Sequence, residues 1–149
     1  MAEPVTVDAA TFLAMGRETL ARQPFSVLLG AELIALEPGR CELGVVLTDQ
    51  LKQQMGFAHG GVVSYLADNA LTYAGGTAMR VPVVTSEYKI NYVRPGIGER
   101  LVARARAVHV SRSQAVCQCE VFVLTGTEEK LCAIAQGTIA KLPDKSEPT

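Results

Sequence analysis

The feature that most constrains this chain is a run of small and apolar residues, 60–79, that contains a single charge. Between Lys52 and Arg80 the only formally charged residue is Asp68, near the middle of the run. The run is too long for one strand and lacks strict alternation, so it predicts a buried helix over Gly60–Met79. A helix this apolar needs a second layer of structure to cover it.

Strand-like runs on both sides of the helix predict that covering layer. Asp8 fits an N-cap for a first helix over about residues 9–22, which Pro24 ends. Two strand-like runs precede the long helix and four follow it, with short separators that predict an antiparallel four-strand meander after the helix. The predicted strands are Ala31–Glu37, Cys41–Thr48, Val83–Val93, Arg100–Val110, Gln114–Leu124 and Lys130–Leu142, with a loop over Asp49–Ala58. The sequence therefore predicts an α+β fold, an antiparallel sheet wrapped around one long helix.

Length and composition exclude several classes of protein. A chain of 149 residues fits one domain, and an apolar fraction of 48% excludes a disordered one. With fourteen basic against fifteen acidic residues, the chain has no excess of positive charge with which to bind nucleic acid or an anionic membrane. The run of apolar residues needed for a transmembrane helix is missing, and the first residues lack the pattern of a signal peptide. We therefore expect a cytoplasmic protein, and the charged fraction of only 19% suggests surface buried between subunits.

The cysteines and histidines do not predict a metal site. None of the pairs among Cys41, Cys117, Cys119 and Cys132 has the spacing of zinc ligands, and the two histidines are far apart in the chain. We expect the four cysteines to be buried or half-buried free thiols in a reducing compartment.

Asp68 is the residue least suited to its surroundings. A carboxylate in an apolar setting costs several kcal/mol unless it is paired, bonded or protonated, and aspartate gains nothing from helix propensity. Two interpretations remain open. In the structural one, Asp68 lies on an exposed stripe of the helix or bonds across a subunit interface. In the functional one, it acts as a general base or nucleophile.

The segment before the helix, Ala58-His59-Gly60-Gly61, predicts a site for developing negative charge. Free N–H groups at a helix N-terminus favour anions, and glycine lets a ligand approach the backbone. Such donors stabilise the oxyanion that forms when a carbonyl is attacked. Asp68 follows Gly60 by about 12 Å of helical rise, so one helix does not bring the two together. A symmetric pair of helices would bring one subunit's aspartate to the other's N-terminus.

Two segments resemble motifs of one enzyme family. His59–Asp68, HGGVVSYLAD, resembles the HGG-x₆-D/E signature of hotdog-fold acyl-CoA thioesterases of the phenylacetate-pathway (PaaI-like) branch. Thr85–Pro95, TSEYKINYVRP, resembles the strand motif T-x-E-L-K-I-N-F-L-R-P of the same family. The resemblance runs from about Phe25 to Leu142. It implies the hotdog fold, with residues 1–24 as an extra N-terminal helix, 25–142 as the thioesterase domain and 143–149 as a flexible tail.

The resemblance also implies catalytic roles. Asp68 would activate the hydrolytic water or attack the thioester carbon directly, and the N–H of Gly60 would polarise the thioester carbonyl. His59 would shape the loop or bond near the leaving sulfur. Gln53 stands where the family often carries asparagine, with Gln54 as an alternative. Thr85 matches the position of a hydroxyl near the catalytic acid.

Substrate binding is implied in the same way. The substrate would be an acyl-CoA, with Gly61, Arg94 and Arg112 as candidates for contacts to it, and the chain would need no metal and no cofactor. Turn arginines suit phosphates because guanidinium binds them in a bidentate manner. The chain would form a homodimer, assembled further into a dimer of dimers. The acyl group stays open, with Phe57, Val63, Tyr65 and Leu66 as candidates for the pocket lining.

Two rival functions are compatible with the same fold. A hydratase or dehydratase of this fold carries an H-F-P-G stretch or a paired Asp and His, and neither is found in this sequence. A non-catalytic acyl-CoA-binding or sensor domain would lose the acid on the helix, whereas Asp68 is present. The favoured prediction is therefore a thioester hydrolase.

Overall fold

One antiparallel sheet of six strands wraps around a single long helix, as the sequence predicted. The computed structural model of the protein describes residues 6–144. The helices are α1 (Ala9–Ala21), α2 (Pro24–Leu29) and α3 (Gly60–Met79), and a short 3₁₀ turn covers Asp49–Leu51. The strands are β1 (Glu32–Glu37), β2 (Arg40–Val46), β3 (Val83–Tyr92), β4 (Arg100–Val110), β5 (Gln114–Thr125) and β6 (Glu128–Lys141).

Helix α3 forms the centre of the core and has the predicted bounds. Leu66 and Leu71 are fully buried against the sheet, and burying a side chain of this size stabilises the fold by about 1.5–3 kcal/mol. Near the C-terminal end the helix approaches β6 so closely that a Cβ on Gly75 would lie 2.7 Å from the Cβ of Ile139. The small residues of the run therefore serve close packing of helix on sheet.

The strand order is β1-β2-β4-β5-β6-β3, so the predicted four-strand meander is wrong at one connection. Strands β4, β5 and β6 follow one another as antiparallel hairpins, but β3 pairs with β6 instead of β4. The physical reason is that β4 pairs with β2 on one side and with β5 on the other, which leaves no free edge for β3. β3 therefore forms one edge of the sheet, ten residues long.

Helix α1 agrees with the predicted first helix, and Asp8 caps it by accepting a hydrogen bond from the N–H of Thr11 at 3.0 Å. The helix belongs to the core, because Gly16 and Leu20 are buried and the hydroxyl of Tyr73 donates to the Gly16 carbonyl at 2.9 Å. The predicted division of the chain at residues 24 and 142 stays a prediction. Most of the predicted tail, 145–149, lies outside the described residues.

Helix α2 was missed by the sequence analysis. Pro24 was expected only to end the first helix, but it occupies the first turn of a second, six-residue helix. Proline suits that position because the first N–H groups of a helix have no partner within the helix. α2 ends at Gly30, whose φ of +71° is a conformation that glycine adopts without strain.

All four cysteines are buried free thiols, as predicted. Burial raises the pKa of Cys117 and Cys132 to about 11, and that of Cys119 to about 12. These thiols are therefore protonated near neutral pH. Within residues 6–144, no helix is both long and apolar enough to cross a membrane, and no group of three or more Asp, Glu, His or Cys side chains is arranged to hold a metal ion.

Candidate active site

Asp68 lies half-buried on the one side of α3 that the sheet does not cover. The hydroxyl of Thr85, on β3, donates to Asp68 Oδ1 at 2.7 Å. Thr72 follows one helical turn later; its hydroxyl donates to the Asp68 carbonyl at 2.9 Å and lies 2.9 Å from the Thr85 hydroxyl. Among the described residues none donates to Oδ2, so one carboxylate oxygen is fixed and the other is open.

A β-bulge in β3 aims Thr85 at this carboxylate. The half-buried positions of β3 are 83 and 85, then 88 and 90, so the alternation slips by one residue between them. The register with β6 shifts at the same place, between Thr85 and Glu87. Counting back from Tyr88, regular alternation would turn Ser86 toward the helix. Because a bulge re-aims side chains, Thr85 bonds Asp68 instead.

Thr72 is the residue that sequence reasoning missed in this cluster. It lies four residues after Asp68, and residues at that spacing are neighbours on a helix surface. That spacing was the signal that could have found it. Thr85 thus fixes the orientation of the Asp68 carboxylate, while Thr72 bonds the main chain of Asp68 and lies beside the Thr85 hydroxyl.

At the N-terminus of α3, His59 acts as the cap. Its Nδ1 accepts a hydrogen bond from the N–H of Gly61 at 2.8 Å, and its carbonyl accepts from Val62 N–H at 3.0 Å. His59 therefore shapes this turn, and the N–H of Gly61 is already bonded to its side chain. Among residues 6–144 no acceptor bonds the N–H of Gly60. Of the two predicted glycine donors, Gly60 is thus the one available to a ligand.

A cavity of about 380 Å³ lies beside this helix terminus. The lining residues include Gln53, Phe57, Gly60, Val63, Tyr92, Arg94 and Cys132. The hydroxyl of Tyr92 donates to the Gly60 carbonyl at 3.1 Å, which joins the end of β3 to the start of α3. Two of the predicted acyl-pocket residues, Phe57 and Val63, line the cavity, whereas Tyr65 and Leu66 do not.

Gln53, and not Gln54, lines this cavity. The Oε1 of Gln53 accepts a hydrogen bond from the N–H of Met55, which leaves the side-chain amide NH₂ as a donor. Cys132 also lines the cavity, but with a pKa of about 11 it holds its proton near neutral pH and lacks the thiolate that a nucleophile needs.

The chain keeps its predicted site residues in two separate groups. Gln53, Gly60 and Arg94 line the cavity, while Asp68 lies about 12 Å of helical rise beyond Gly60 and bonds Thr85 on β3. The arginines are separated as well. Arg94 lies two residues after the end of β3. Arg112 lies in the β4–β5 turn beside the start of β3, because Ser113 O accepts from Lys141 N–H at 2.9 Å and Lys141 pairs with Val83.

Comparison with known proteins identifies the family. A model of the thioesterase superfamily matches residues 55–130, which include both groups of site residues except Gln53. The acyl-coenzyme A thioesterase PaaI of Escherichia coli is 28% identical over 110 residues, 73% of this chain and 76% of that protein. The 1,4-dihydroxy-2-naphthoyl-CoA hydrolase of Listeria monocytogenes is 26% identical over 114 residues, 75% of this chain and 90% of that protein.

A solved structure leads to the same family. The crystal structure of a thioesterase family protein from Silicibacter pomeroyi superposes with a TM-score of 0.80 at 36% identity, covering 83% of this chain and 93% of that chain. The long helix, the six-stranded sheet and the match over residues 55–130 agree on one assignment. This chain belongs to the thioesterase superfamily, in its PaaI-like branch, and is a thioester hydrolase with the hotdog fold.

Proposed function

We propose that this hydrolase cleaves acyl-CoA thioesters into CoA and a free carboxylic acid. The observation that carries the proposal is the Asp68 carboxylate, which Thr85 holds at one oxygen while the other is open. The names of the relatives in E. coli and L. monocytogenes support a CoA thioester as substrate. The unused N–H of Gly60 beside a cavity supplies the second requirement, a donor for the oxygen of the attacked carbonyl.

The chemistry follows from these two groups. Asp68 removes a proton from a water molecule that attacks the thioester carbon, or its open oxygen attacks that carbon directly. In either route the carbonyl oxygen becomes an oxyanion, which the Gly60 N–H stabilises, and the amide of Gln53 can donate to the same region. In the water route, collapse of the tetrahedral intermediate breaks the carbon–sulfur bond, and CoA leaves with the proton that Asp68 took from the water. In the direct route, the same collapse releases the CoA thiolate and leaves an anhydride between the acyl group and Asp68. A water molecule then cleaves the anhydride, which releases the carboxylic acid, restores the Asp68 carboxylate and supplies the proton for the thiolate.

We further propose that each active site is shared between two subunits. β3 is a ten-residue edge strand with an open side, and such an edge favours pairing with another strand. Antiparallel pairing about a two-fold axis at the middle of β3 would set Thr85 opposite Ile90 of the partner subunit. That arrangement brings Asp68 and Thr85 of one chain toward the cavity beside Gly60 of the other. Arg112 of one chain would likewise approach Arg94 of the partner subunit, where both could bind CoA phosphates.

The outer face of the sheet supports a dimer of dimers. This face is concave and lines a cavity of about 800 Å³. One row across it carries Arg40, Arg106 and Lys89, and the neighbouring row carries Glu42 and Glu120 with Arg104 between them. A basic row beside a row of net negative charge is complementary to itself about a two-fold axis. The free thiols support the proposed cytoplasmic location, since thiols persist in reducing compartments.

The first experiment measures thiol release from short, medium, long and aryl acyl-CoAs. Asp68→Asn keeps the shape of the side chain but removes the base, so we expect kcat to fall by roughly 10²-fold or more. Asp49→Asn is the matched control, because the Asp49 side chain is fully exposed in the 3₁₀ turn. Hydrolysis by the Asp68 variant at near the wild-type rate contradicts the mechanism. A wild-type protein that binds acyl-CoAs without hydrolysing any of them would favour the acyl-CoA-binding domain.

The second experiment tests the shared site by co-expressing Asp68→Asn with Gly60→Val. A mixed dimer holds one site with both changes and one site with neither. Random pairing makes about half of the dimers mixed, so about a quarter of wild-type activity should return. Each variant expressed alone is the control and should stay near zero. No recovery in a verified mixed dimer would mean that each chain builds its own site.

A further inference from the structure

Helix α3 ends at Arg80, whose backbone is left-handed, with a φ of +57° and a ψ of +36°. Within residues 6–144, Arg80 is the only residue other than glycine that has a positive φ. Glycine occupies the other four such positions, Gly30, Gly39, Gly56 and Gly126. Left-handed backbone is unfavourable for a residue with a Cβ, so glycine is the usual residue at a helix end of this kind. Backbone strain at one residue points to a function for its side chain.

The contacts of Arg80 within the chain do not explain why the residue is arginine. Its N–H donates to the Gly76 carbonyl at 2.8 Å, a bond that glycine at the same position would also form. Its side chain is exposed, and in the described part of the chain the guanidinium forms no ion pair and no hydrogen bond. A positive charge interacts favourably with the C-terminus of a helix, but for an exposed side chain this gain is smaller than the cost of left-handed backbone. The guanidinium is therefore available to a group from outside the chain.

Arg80 stands at the end of a line of residues that begins at the candidate base. The line consists of Asp68, Thr72, Gly76 and Arg80, each four residues after the one before. Residues at that spacing are neighbours on a helix surface. Gly76 leaves a gap in the line, because a Cβ built on it would meet only Val83 Cγ2, at 3.0 Å. A ligand can therefore lie along α3 from Asp68 to Arg80 without meeting a side chain at Gly76.

The length of this line fits the arm of CoA. Arg80 follows Asp68 by twelve residues, about 18 Å of helical rise. In CoA the pantetheine arm joins the sulfur to the first phosphate, and its chain is as long as about four residues of extended polypeptide, roughly 14 Å. The long arginine side chain spans the remaining distance. When the thioester lies at Asp68 and the arm runs along the helix, the phosphates therefore come close to Arg80.

A second arginine lies at the same end of the molecule. The β4–β5 turn, which holds Arg112, is bonded to Lys141, and Lys141 pairs with Val83, three residues after Arg80. The turn is therefore two strand spacings, about 10 Å, from the start of β3. Arg112 is also exposed and has no ion pair within residues 6–144, whereas Lys141 pairs with Asp144 at 3.6 Å. Two guanidinium groups at such a separation fit the separate phosphates of one nucleotide.

We propose that Arg80 binds a phosphate of CoA together with Arg112, and that the chain keeps arginine at the strained end of α3 for this contact. This inference rests on the proposed function and adds a further residue to its substrate site. One helix then holds both ends of the substrate, the thioester at Asp68 and the nucleotide at Arg80. The protein gives up stability at this position in exchange for affinity.

The test compares octanoyl-CoA with octanoyl-pantetheine, which carries the same thioester but no nucleotide. Arg80→Gly should lower kcat/KM for octanoyl-CoA by about tenfold, through KM, because one charge-assisted contact to phosphate is lost. The value for octanoyl-pantetheine should not change. Arg80→Lys keeps the charge but loses the paired donors, so its kcat/KM should lie between those of the wild type and Arg80→Gly. An unchanged kcat/KM for octanoyl-CoA, or equal losses for both substrates, overturns the proposal.

The same variant should be more stable than the wild type. Glycine adopts left-handed backbone without strain, so Arg80→Gly should unfold about 2–4 °C higher. Arg22→Gly is the matched control, because Arg22 is also an exposed arginine at the end of a helix but has a φ of −91°. It should neither raise the unfolding temperature nor change kcat/KM for either substrate. If Arg80→Gly is less stable than the wild type, arginine is kept for the helix end and the proposal is wrong.

A binding measurement separates this inference from the proposed function. Calorimetry with adenosine 3′,5′-bisphosphate, which carries phosphates of CoA but no thioester, tests the contact even if no acyl-CoA is hydrolysed. The wild type should bind this nucleotide, and Arg80→Gly should bind it about tenfold more weakly. Equal affinities in the two proteins, or no binding to the wild type, overturn the proposal.

Discussion

The two adjacent glycines at the start of α3 are expected to respond in opposite ways to the same substitution. Neither Gly60 nor Gly61 has a positive φ, so alanine fits both backbones. A Cβ on Gly60 would lie 3.6 Å from the ring of Tyr92, an ordinary contact, and would point into the cavity that both residues line. A Cβ on Gly61 would lie 2.9 Å from His59 Nδ1 and would displace the capping ring.

The two substitutions therefore differ in their effect on stability. Replacing glycine by alanine in a helix stabilises it by up to about 1 kcal/mol, and both variants gain this contribution. Gly61→Ala also loses the His59 cap, and losing a cap costs about 1 kcal/mol. We expect Gly60→Ala to unfold about 2–4 °C above Gly61→Ala, the shift that 1 kcal/mol produces in a chain of this size.

The effect on activity should have the opposite order. The methyl group of Gly60→Ala stands where the thioester carbonyl must approach the N–H, and a misplacement of about 1 Å costs roughly 10²-fold in rate. Gly61→Ala should retain most of its activity, because the Gly61 N–H bonds His59 and not the substrate. The assay is kcat/KM for thiol release beside a thermal denaturation curve. A Gly60 variant near wild type combined with a severely impaired Gly61 variant would assign the oxyanion donor to Gly61.

Three other experiments give independent tests. Thr85→Val removes a hydrogen bond to the Asp68 carboxylate, so kcat should fall about 10–100-fold with little change in KM. Thr138→Val, on the outer sheet face, is the control and should not affect kcat. If kcat of the Thr85 variant equals that of the wild type, Thr85 does not position the carboxylate. Gly75→Ala should lower the free energy of unfolding in urea by about 1–3 kcal/mol through overpacking, and a stabilised variant would contradict the close approach of helix and sheet. Native Cys117 and Cys132, with pKa values of about 11, should react faster with a disulfide reagent as pH rises toward 11, and rapid labelling at pH 7 would contradict their burial.

The elements were predictable from the sequence because their patterns are local. The apolar run 60–79 is continuous, so its helix has the predicted bounds, and the alternating runs gave the six strands. Strand order was less accessible. The linker between β3 and β4 is short enough for a hairpin, but its length says only how far the chain can reach and not which edge is free. α2 was missed because Pro24 both ends one helix and opens the next.

The candidate site was predictable in its residue types and less so in its contacts. The pairing of Thr85 with Asp68 was expected from a motif resemblance, and the structure brings the two side chains together. The bulge that makes this contact depends on a register shift against β6, which no local pattern encodes. The same holds for Tyr92 on Gly60 and for Tyr65 on Ser26, since each contact joins residues more than thirty positions apart.

The exposure of Asp68 changes what its removal should do to stability. An aspartate in an apolar helix suggested a desolvated charge, whose loss would stabilise the protein. In the structure the carboxylate is half-buried and bonded to Thr85, and the Oδ1 of an asparagine can accept the same hydrogen bond. We therefore expect Asp68→Asn to change the free energy of unfolding by less than about 0.5 kcal/mol, as for an ordinary surface substitution. Urea denaturation at neutral pH measures this difference. A stabilisation above about 1 kcal/mol would mean that the assembled subunits bury the charge before substrate arrives, and that the enzyme gives up stability to hold its base in place.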